Sequence, residues 1–483
     1  MNNKNNKFLL GGAICAAQAE GNFDIDGKTL TVADLRFFDK NNKPKDITAK
    51  DRRMTTEKLK FAIEHEKELY FPKREGIDFY NTYKEDIKFF KEANMNCFRF
   101  SIAWSRIMPN CDGVINQKAV EYYENIFKTL KENNITPIVT IIHNDIPYVM
   151  IEKYGGWHNK QFIDGYLQYA KFVVERFKKY VKYWIPFNEI NATLFTSWHG
   201  AGIVDDAFEN LESVCYNALH NQFVALAKLI EFGKTIANDF QFLGMTASFL
   251  TYPIDCNPKN VLFNQQQMQI KNYFYYEVMA KGKYPTYIKN YFKAKKITLN
   301  ILDGELELIK NNPIDGIALS YYSSGTTSTE NIKELDSNLI TTGANPFLQA
   351  SEWGWQIDPI GLKILVHEMH ERFNLPIMIA ENGLGSDDFL TKDNQIHDDY
   401  RISYIKQHLD LLKESIAEGV NIFSYTLWTP IDVISSGTNE MTKRYGLIYV
   451  DLDNEGNGSK KRIFKDSYFW FKEYAQSFLN EVN

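Results

Sequence analysis

The chain has little cysteine and no arrangement of it that does work. The five, Cys15, Cys97, Cys111, Cys215 and Cys256, are odd in number and show neither paired nor metal-type spacing. That excludes a disulfide framework and a cysteine metal centre, and a reducing, cytoplasmic setting is expected. No apolar run approaches the roughly 18 residues of a membrane span, so no membrane association is expected. Concentrated positive charge is also missing: the densest basic stretch is Lys460, Lys461 and Arg462, and the formal charge is -6. Nucleic acid is therefore not an expected partner. Internal repeats, low-complexity tracts and linkers are absent, so one domain over residues 1–483 is expected. The sequence leaves a homo-oligomer open.

What is present is apolar and aromatic. Hydrophobic residues make up 44%, with 34 Phe and 28 Tyr, enough for a large core and for surfaces on which sugars stack. Short β-rich runs recur at 8–18, 96–106, 136–143, 183–189, 241–249, 315–323, 376–382 and 420–429. Between them lie segments with helical spacing such as 122–134, 165–180 and 403–414. In the second of these, Tyr166, Tyr169, Phe172, Val173 and Phe177 form one apolar face. Eight such alternations predict parallel pairing and a closed (β/α)8 TIM barrel, with an open doubly wound sheet as the competing arrangement. The runs begin apolar and reach Gln18, Arg106, His143, Glu189, Tyr322, Glu381 and Trp428 at or near their ends, where barrels of this kind carry their sites. Residues 22–94 and 324–375 read as insertions around the barrel mouth.

Lys4 and Lys7 before the apolar run from Phe8 to Ala17, with Ala17-Gln18-Ala19 following, have the outline of a secretory leader. Cleavage after Ala19 would delete the first strand and Gln18 with it. The stretch is therefore read as strand one, and no signal peptide is expected.

Most of the 61 acidic residues are expected to be solvated surface charges. Glu189 ends "YWIPFNE" and Glu381 ends "PIMIAE", each placed after a run too apolar for the surface. A buried structural ion pair is one explanation. A catalytic pair is the other: cleavage of a glycosidic bond needs a proton donor and a nucleophile or base flanking the anomeric carbon. Mutual repulsion would raise one of the two pKa values, leaving one group protonated and the other ionised.

"FNEIN" (187–191) and "IAENGLG" (379–385) resemble the acid/base and nucleophile motifs of glycoside hydrolase family 1. The resemblance runs nearly end to end, through "GGAICAAQAEG", "CFRFSIAWSRIMP", "YGGWHN", "YPTYIKNY", "LSYYSS", "SEWGWQIDPIGL" and "KRYGLIYVD". It implies a retaining hydrolase with Glu381 as nucleophile and Glu189 as acid/base, without metal or organic cofactor. It further implies that Gln18, His143 and Asn188 bind sugar hydroxyls, that Trp353 contacts substrate, and that Trp428 stacks beneath the ring. Arg99 and Tyr322 would lie against Glu381, although a purely structural ion pair also accounts for Arg99.

The segment "WTPIDVISSGTNEMTKRYG" (428–446) bears on the substrate. Ordinary β-glucosidases resemble it but carry a glutamate seven residues before the lysine, where Ser436 stands here. A carboxylate about 4 Å from a phosphate oxygen would cost roughly 1 to 4 kcal/mol per unit charge. Its replacement makes room for a dianion. Ser435 or Ser436, Lys443 and Tyr445 resemble the phosphate site of the 6-phospho-β-glycosidases, with polar loop residues and no ligand as the plain alternative. Gly437 stands where the phospho-β-galactosidase branch carries a tryptophan, which favours the gluco series. The expected substrate is a 6-phosphorylated β-glucoside. The alternatives are an ordinary β-glucosidase, a 6-phospho-β-galactosidase and, more remotely, a non-catalytic sugar-binding protein. Three departures from the family pattern stand out: Asn144 after His143 in place of an aromatic, Asn81 in place of histidine, and Ser320 in place of asparagine.

Overall fold

Eight parallel strands close on themselves in this computed structural model, which describes residues 7–40, 53–336 and 341–483. They are β1 (Leu9–Ala13), β2 (Cys97–Ser101), β3 (Thr136–Ile142), β4 (Tyr183–Phe187), β5 (Gln241–Ala247), β6 (Gly316–Ser320), β7 (Ile377–Asn382) and β8 (Ile422–Trp428). Each pairs with its neighbours in chain order. The ring closes where Leu9 pairs with Ser424 and Ala13 with Trp428. The expected barrel is thus the observed one, and all eight β-rich runs carry a barrel strand.

The strands are shorter than their apolar runs. Gln18 lies on a helical turn (Ala16–Ala19) beyond β1, and Arg106 on another (Trp104–Ile107) beyond β2. Burial on all sides gives such turns the same apolar character as a strand, so hydrophobicity alone does not separate the two. The expected insertions are shorter as well. Phe79–Glu92 is the crossover helix between β1 and β2, and Pro359–Phe373 the one between β6 and β7. Residues 41–52 and 337–340 of these segments, and Lys4, lie outside the described residues.

Strand alternation builds two cores. Leu9, Cys97, Ile138, Ile185, Leu243, Met245, Ala318, Met378 and Ala380 point into the lumen and fill it. The Tyr183 and Phe423 rings stack against this set, 5.4 Å apart. Outward residues such as Phe98, Phe100, Val139, Ile317 and Ile379 pack under the helices. In the helix Gln161–Phe177 the expected face is buried through Tyr166, Tyr169, Val173 and Phe177, with Phe172 at its half-buried edge. Tyr169 donates its hydroxyl to the carbonyls of Ile102 and Ile141, joining that helix to the ends of β2 and β3.

Behind the 428–446 segment sits a buried chain of alternating charges. Lys465 bridges Asp388 and Asp432, the latter at 2.8 Å. Arg444 holds Asp432 at 3.0 Å, and Arg401 holds Asp388 at 3.0 Å and Asp398 at 2.9 Å. Burial pushes the Asp388 carboxyl up, but the charges of Arg401 and Lys465 outweigh it and hold the group down at about 2. A carboxyl depressed in the folded state adds stability that is complete above its unfolded pKa, about 4, and is lost as pH falls through the folded value. Asp388→Asn should therefore lower Tm at pH 7 by the several degrees that correspond to breaking a buried pair, about 3 to 5 kcal/mol. It should also flatten the dependence of Tm on pH between about 4 and 2. Thermal melts across that range check both.

Candidate active site

At the C-terminal mouth of the barrel a cleft is lined by Gln18, His143, Asn188, Glu189, Tyr322, Glu381, Trp428, Ser436 and Tyr445, together with Arg36, Asn144, Ala192, Thr196, His199 and Gly437. Nine of the site residues expected from sequence therefore share one space.

Glu381 owes its aim to an irregularity. Along β7, Met378 and Ala380 face the lumen and Ile377 and Ile379 face outward, so regular alternation would turn residue 381 outward as well. Pairing with β6 shifts register between Ile379 and Glu381, and pairing with β8 shifts between Ile379 and Asn382. The bulge swings the carboxylate into the cleft. Two neighbours in the sequence hold that geometry. Asn382 donates to the Tyr321 carbonyl at 2.6 Å and accepts from the Tyr425 hydroxyl at 2.7 Å. Gly383 passes so near β8 that a Cβ would lie 2.0 Å from the Trp428 carbonyl oxygen.

Glu189 is aimed by a backbone turn of another kind. It lies past the end of β4 with φ of 39°, a left-handed conformation that costs a residue with a side chain of order 1 to 3 kcal/mol and is characteristic of functional sites. Asn191 fixes this turn with both ends of its amide, donating to the Ala247 carbonyl and accepting from the Ala247 N–H, each at 2.8 Å. The second asparagine of "FNEIN" thus staples the acid's loop to β5.

The two glutamates have different partners. Glu381 accepts from Arg99 Nη1 at 2.6 Å on one oxygen and from the Tyr322 hydroxyl at 2.6 Å on the other. Arg99 also donates to Thr140 Oγ1 at 3.0 Å and to Asn188 Oδ1 at 2.6 Å. With its oxygen taken, Asn188 is left to offer its NH2 to the cleft. Glu189 accepts only a short hydroxyl hydrogen bond from Ser320 among its neighbours in the described residues. Burial first, and then the nearby Glu381, push the Glu189 carboxyl up to about 8, with Ser320 and Arg99 acting in the opposite direction. His143, 3.8 Å from Glu381, is kept neutral because burial and the Arg99 charge hold its imidazole well below the ordinary range. Its ring lies 5.6 Å from that of Trp428 at the cleft floor.

The 428–446 segment forms the opposite wall. The Ser435 and Tyr445 hydroxyls meet at 3.2 Å, whereas Ser436 reaches the cleft itself. The Lys443 ammonium is buried over two indoles, 4.4 Å from the Trp355 ring centre and 4.9 Å from that of Trp353. Trp353 therefore stands behind Lys443, its indole N–H donating to Asp387 at 3.1 Å, and is absent from the cleft lining. Gly385 leaves the room this packing needs, since a Cβ there would come within 2.9 Å of both Lys443 and Tyr445. Ser386 and Arg444 exchange backbone hydrogen bonds at 3.0 and 2.8 Å, tying the Glu381 loop to this wall.

Sequence reasoning missed several site residues. Ser320 closes a fully apolar strand just as Glu189 and Glu381 do, and that signal could have found its contact with Glu189. Trp355 was visible in "SEWGWQ". Arg36, Thr196 and His199 lie in connecting segments with no periodicity to mark them. Asn144 has φ of 56°, a left-handed conformation that asparagine tolerates far better than an aromatic, which accounts for the unusual residue after His143.

Comparison with known proteins agrees along the whole chain. The sequence profile of glycosyl hydrolase family 1 matches residues 2–478. The aryl-phospho-β-D-glucosidase BglH of Bacillus subtilis (strain 168) is 42% identical over 470 residues, 96% of each chain. The 6-phospho-β-glucosidase AscB of Escherichia coli (strain K12) is 38% identical over 477 residues, 97% of each. Among solved structures, the family 1 β-glucosidase of Thermotoga maritima superposes with a TM-score of 0.81 at 26% identity, covering 98% of this chain and 99% of that one.

The unequal surroundings of the two glutamates set a titration. Glu189 should be protonated at pH 7 and lose its proton near pH 8, as followed by carboxyl difference infrared spectroscopy against Glu189→Gln. Glu381→Gln should lower that midpoint yet leave it above the ordinary carboxylate range, because burial is the larger cause. A Glu189 midpoint below about 5 would contradict this reading of the site.

Proposed function

The chain belongs to glycosyl hydrolase family 1, and from that membership and the cleft geometry we propose that it hydrolyses 6-phosphorylated β-glucosides with retention of configuration. The observation that carries the reading is the pairing of two carboxyls with unlike partners, Glu189 and Glu381, in one cleft. Among the described residues Glu189 and Glu381 are the only acids lining the cleft, and the opposite wall brings Ser436 and Tyr445 to it, with Ser435 and Lys443 directly behind. The relatives at 42% and 38% identity are named for phosphorylated β-glucosides, in keeping with that wall.

In the first step Glu381 attacks the anomeric carbon while Glu189 gives its proton to the departing glycosidic oxygen. The nucleophile must be a carboxylate, and Arg99 with Tyr322 supplies the positive charge and the hydroxyl donor that stabilise one. The acid must start protonated at neutral pH, and its burial next to Glu381 provides that. In the second step Glu189, now ionised, takes a proton from water as the oxygen attacks the glycosyl–Glu381 ester. Two inversions give net retention. Asn188, Gln18 and neutral His143 orient the sugar hydroxyls, and the Trp428 ring forms the floor. No metal or organic cofactor enters these steps.

The 6-phosphate is assigned to Lys443 and to the adjoining hydroxyls of Ser435 and Tyr445, with Ser436 at the rim. The Ser435–Tyr445 contact is the geometric reason for placing Ser435 at the phosphate. Neither Ser436 nor Gly437 carries an indole, so the wall leaves open the space that a tryptophan would fill, in favour of glucosides over galactosides. Among the described residues no helix is long and apolar enough to cross a membrane. A cytoplasmic location matches a substrate whose charge prevents its free passage through a bilayer.

Four outcomes follow. The purified protein should turn over p-nitrophenyl β-glucoside 6-phosphate with far higher kcat/KM than p-nitrophenyl β-glucoside, and the reverse preference would overturn the phosphate assignment. Ser435→Ala should raise KM for the phosphorylated substrate by about tenfold, more than Ser436→Ala does, as loss of a hydrogen bond to a charged group implies. Glu381→Gln should abolish turnover. Glu189→Gln should slow alkyl glycoside phosphates far more than nitrophenyl ones and remove the fall in kcat/KM above about pH 8.

A further inference from the structure

Two buried cations from distant parts of the chain converge on one peptide of the far wall. Arg36 Nη1 donates to the Ser436 carbonyl at 2.7 Å and Nη2 to the Gly437 carbonyl at 3.0 Å. Lys73 Nζ donates to the same Ser436 carbonyl at 3.1 Å. Arg36 and Lys73 are only 5% and 3% exposed. Arg36 also contacts His199 Nε2 at 3.1 Å, and burial together with the Arg36 charge keeps that imidazole well below its ordinary range, so the ring nitrogen is an acceptor.

The placement of Lys73 is built in. It sits on the helical turn Pro72–Glu75, which rests on the turn carrying Gln18: Ile77 N–H donates to the Ala19 carbonyl, and a Cβ on Gly21 would lie 1.9 Å from the Glu75 carbonyl oxygen. Burial first, and then Arg36, push the Lys73 amine well below its ordinary range, with Asp34 among the groups acting in the opposite direction. A dianion arriving at the adjacent wall would be attracted by positive charge on both side chains.

We propose that Arg36 and Lys73 form a clamp that sets selectivity for the phosphorylated sugar, fixing the Ser435–Gly437 turn and adding positive potential where the 6-phosphate docks. The inference rests on the reading of this cleft as a phosphate-sugar site. Both residues act as positioning groups through the turn and touch neither glutamate in the described contacts. A carbonyl oxygen gripped by two cationic donors cannot swing toward a phosphate and repel it. Loss of either donor frees the oxygen and removes a charge from the wall.

The test compares Lys73→Met, Lys73→Arg and Arg36→Gln with the unaltered chain. The substrates are p-nitrophenyl β-glucoside 6-phosphate and p-nitrophenyl β-glucoside, and the inhibitors are glucose 6-phosphate and glucose. Lys73→Met and Arg36→Gln should each lower the phosphate-to-free-sugar ratio of kcat/KM by about tenfold, the scale of one lost charged hydrogen bond. The loss should fall on KM, with the inhibition constant of glucose 6-phosphate rising in parallel and that of glucose steady. Lys73→Arg, which keeps charge and donor, should retain the ratio. An unchanged ratio, or equal losses on both substrates, would overturn the clamp while leaving the phosphate site in place. Should one variant fail to fold, the other still reports the ratio. Absence of any phosphate preference in the unaltered chain would overturn the underlying site and the clamp with it.

Discussion

A guanidinium sealed inside a barrel has to find hydrogen-bond acceptors in every direction its fork points, and Arg99 organises the site by that requirement. Only 1% exposed, it reaches Thr140 on β3, Asn188 beyond β4 and Glu381 with the Ala380 carbonyl on β7, all from its own place on β2. Four of the eight strands are thereby referred to one rigid plane. The orientation of the Asn188 amide and the position of the Glu381 carboxylate are consequences of it. A lysine in that place would keep the charge and lose the geometry.

Two side chains of the same kind take opposite roles because their surroundings differ. Glu381 is given a cation and a phenol, while Glu189 is given a serine hydroxyl and a carboxylate neighbour. The contrast depends on backbone departures at both positions, a bulge in one strand and a left-handed residue after another. An ideal barrel with perfect alternation would direct one of these groups away from the cleft.

Much of this was legible in the sequence, and the reason is physical. A polar residue that ends a run of buried apolar ones has few places to go in a parallel barrel, so Glu189, Glu381, His143 and Trp428 announced themselves by position. Arg99 was legible only through resemblance, because a single charge inside "CFRFS" looks the same whether it faces lumen or helix. Strand ends were overextended at Gln18 and Arg106, where buried helical turns keep the hydrophobicity of the strands they follow. Which of Ser435 and Ser436 meets the Tyr445 hydroxyl was not legible, because that contact depends on packing over Gly385 and the two indoles. Arg36 and Lys73 lie in segments whose sequence near the barrel carries no pattern, and their meeting at Ser436 exists only in three dimensions.

The closing seam of the barrel has a consequence for the order in which the protein assembles. β1 pairs with β8, Leu9 beside Ser424, so the ring is completed by contacts between the far ends of the chain, the kind that form slowly because they close the longest loop. Gln18 reaches across the same seam to the Ile434 carbonyl at 2.6 Å, and Arg36 and Lys73 cross it to Ser436. The cleft is therefore a late product of folding, assembled when the last strand docks. Any ligand spanning Gln18 and the Ser436 turn would bridge the two edges of that seam, and its binding energy would resist their separation.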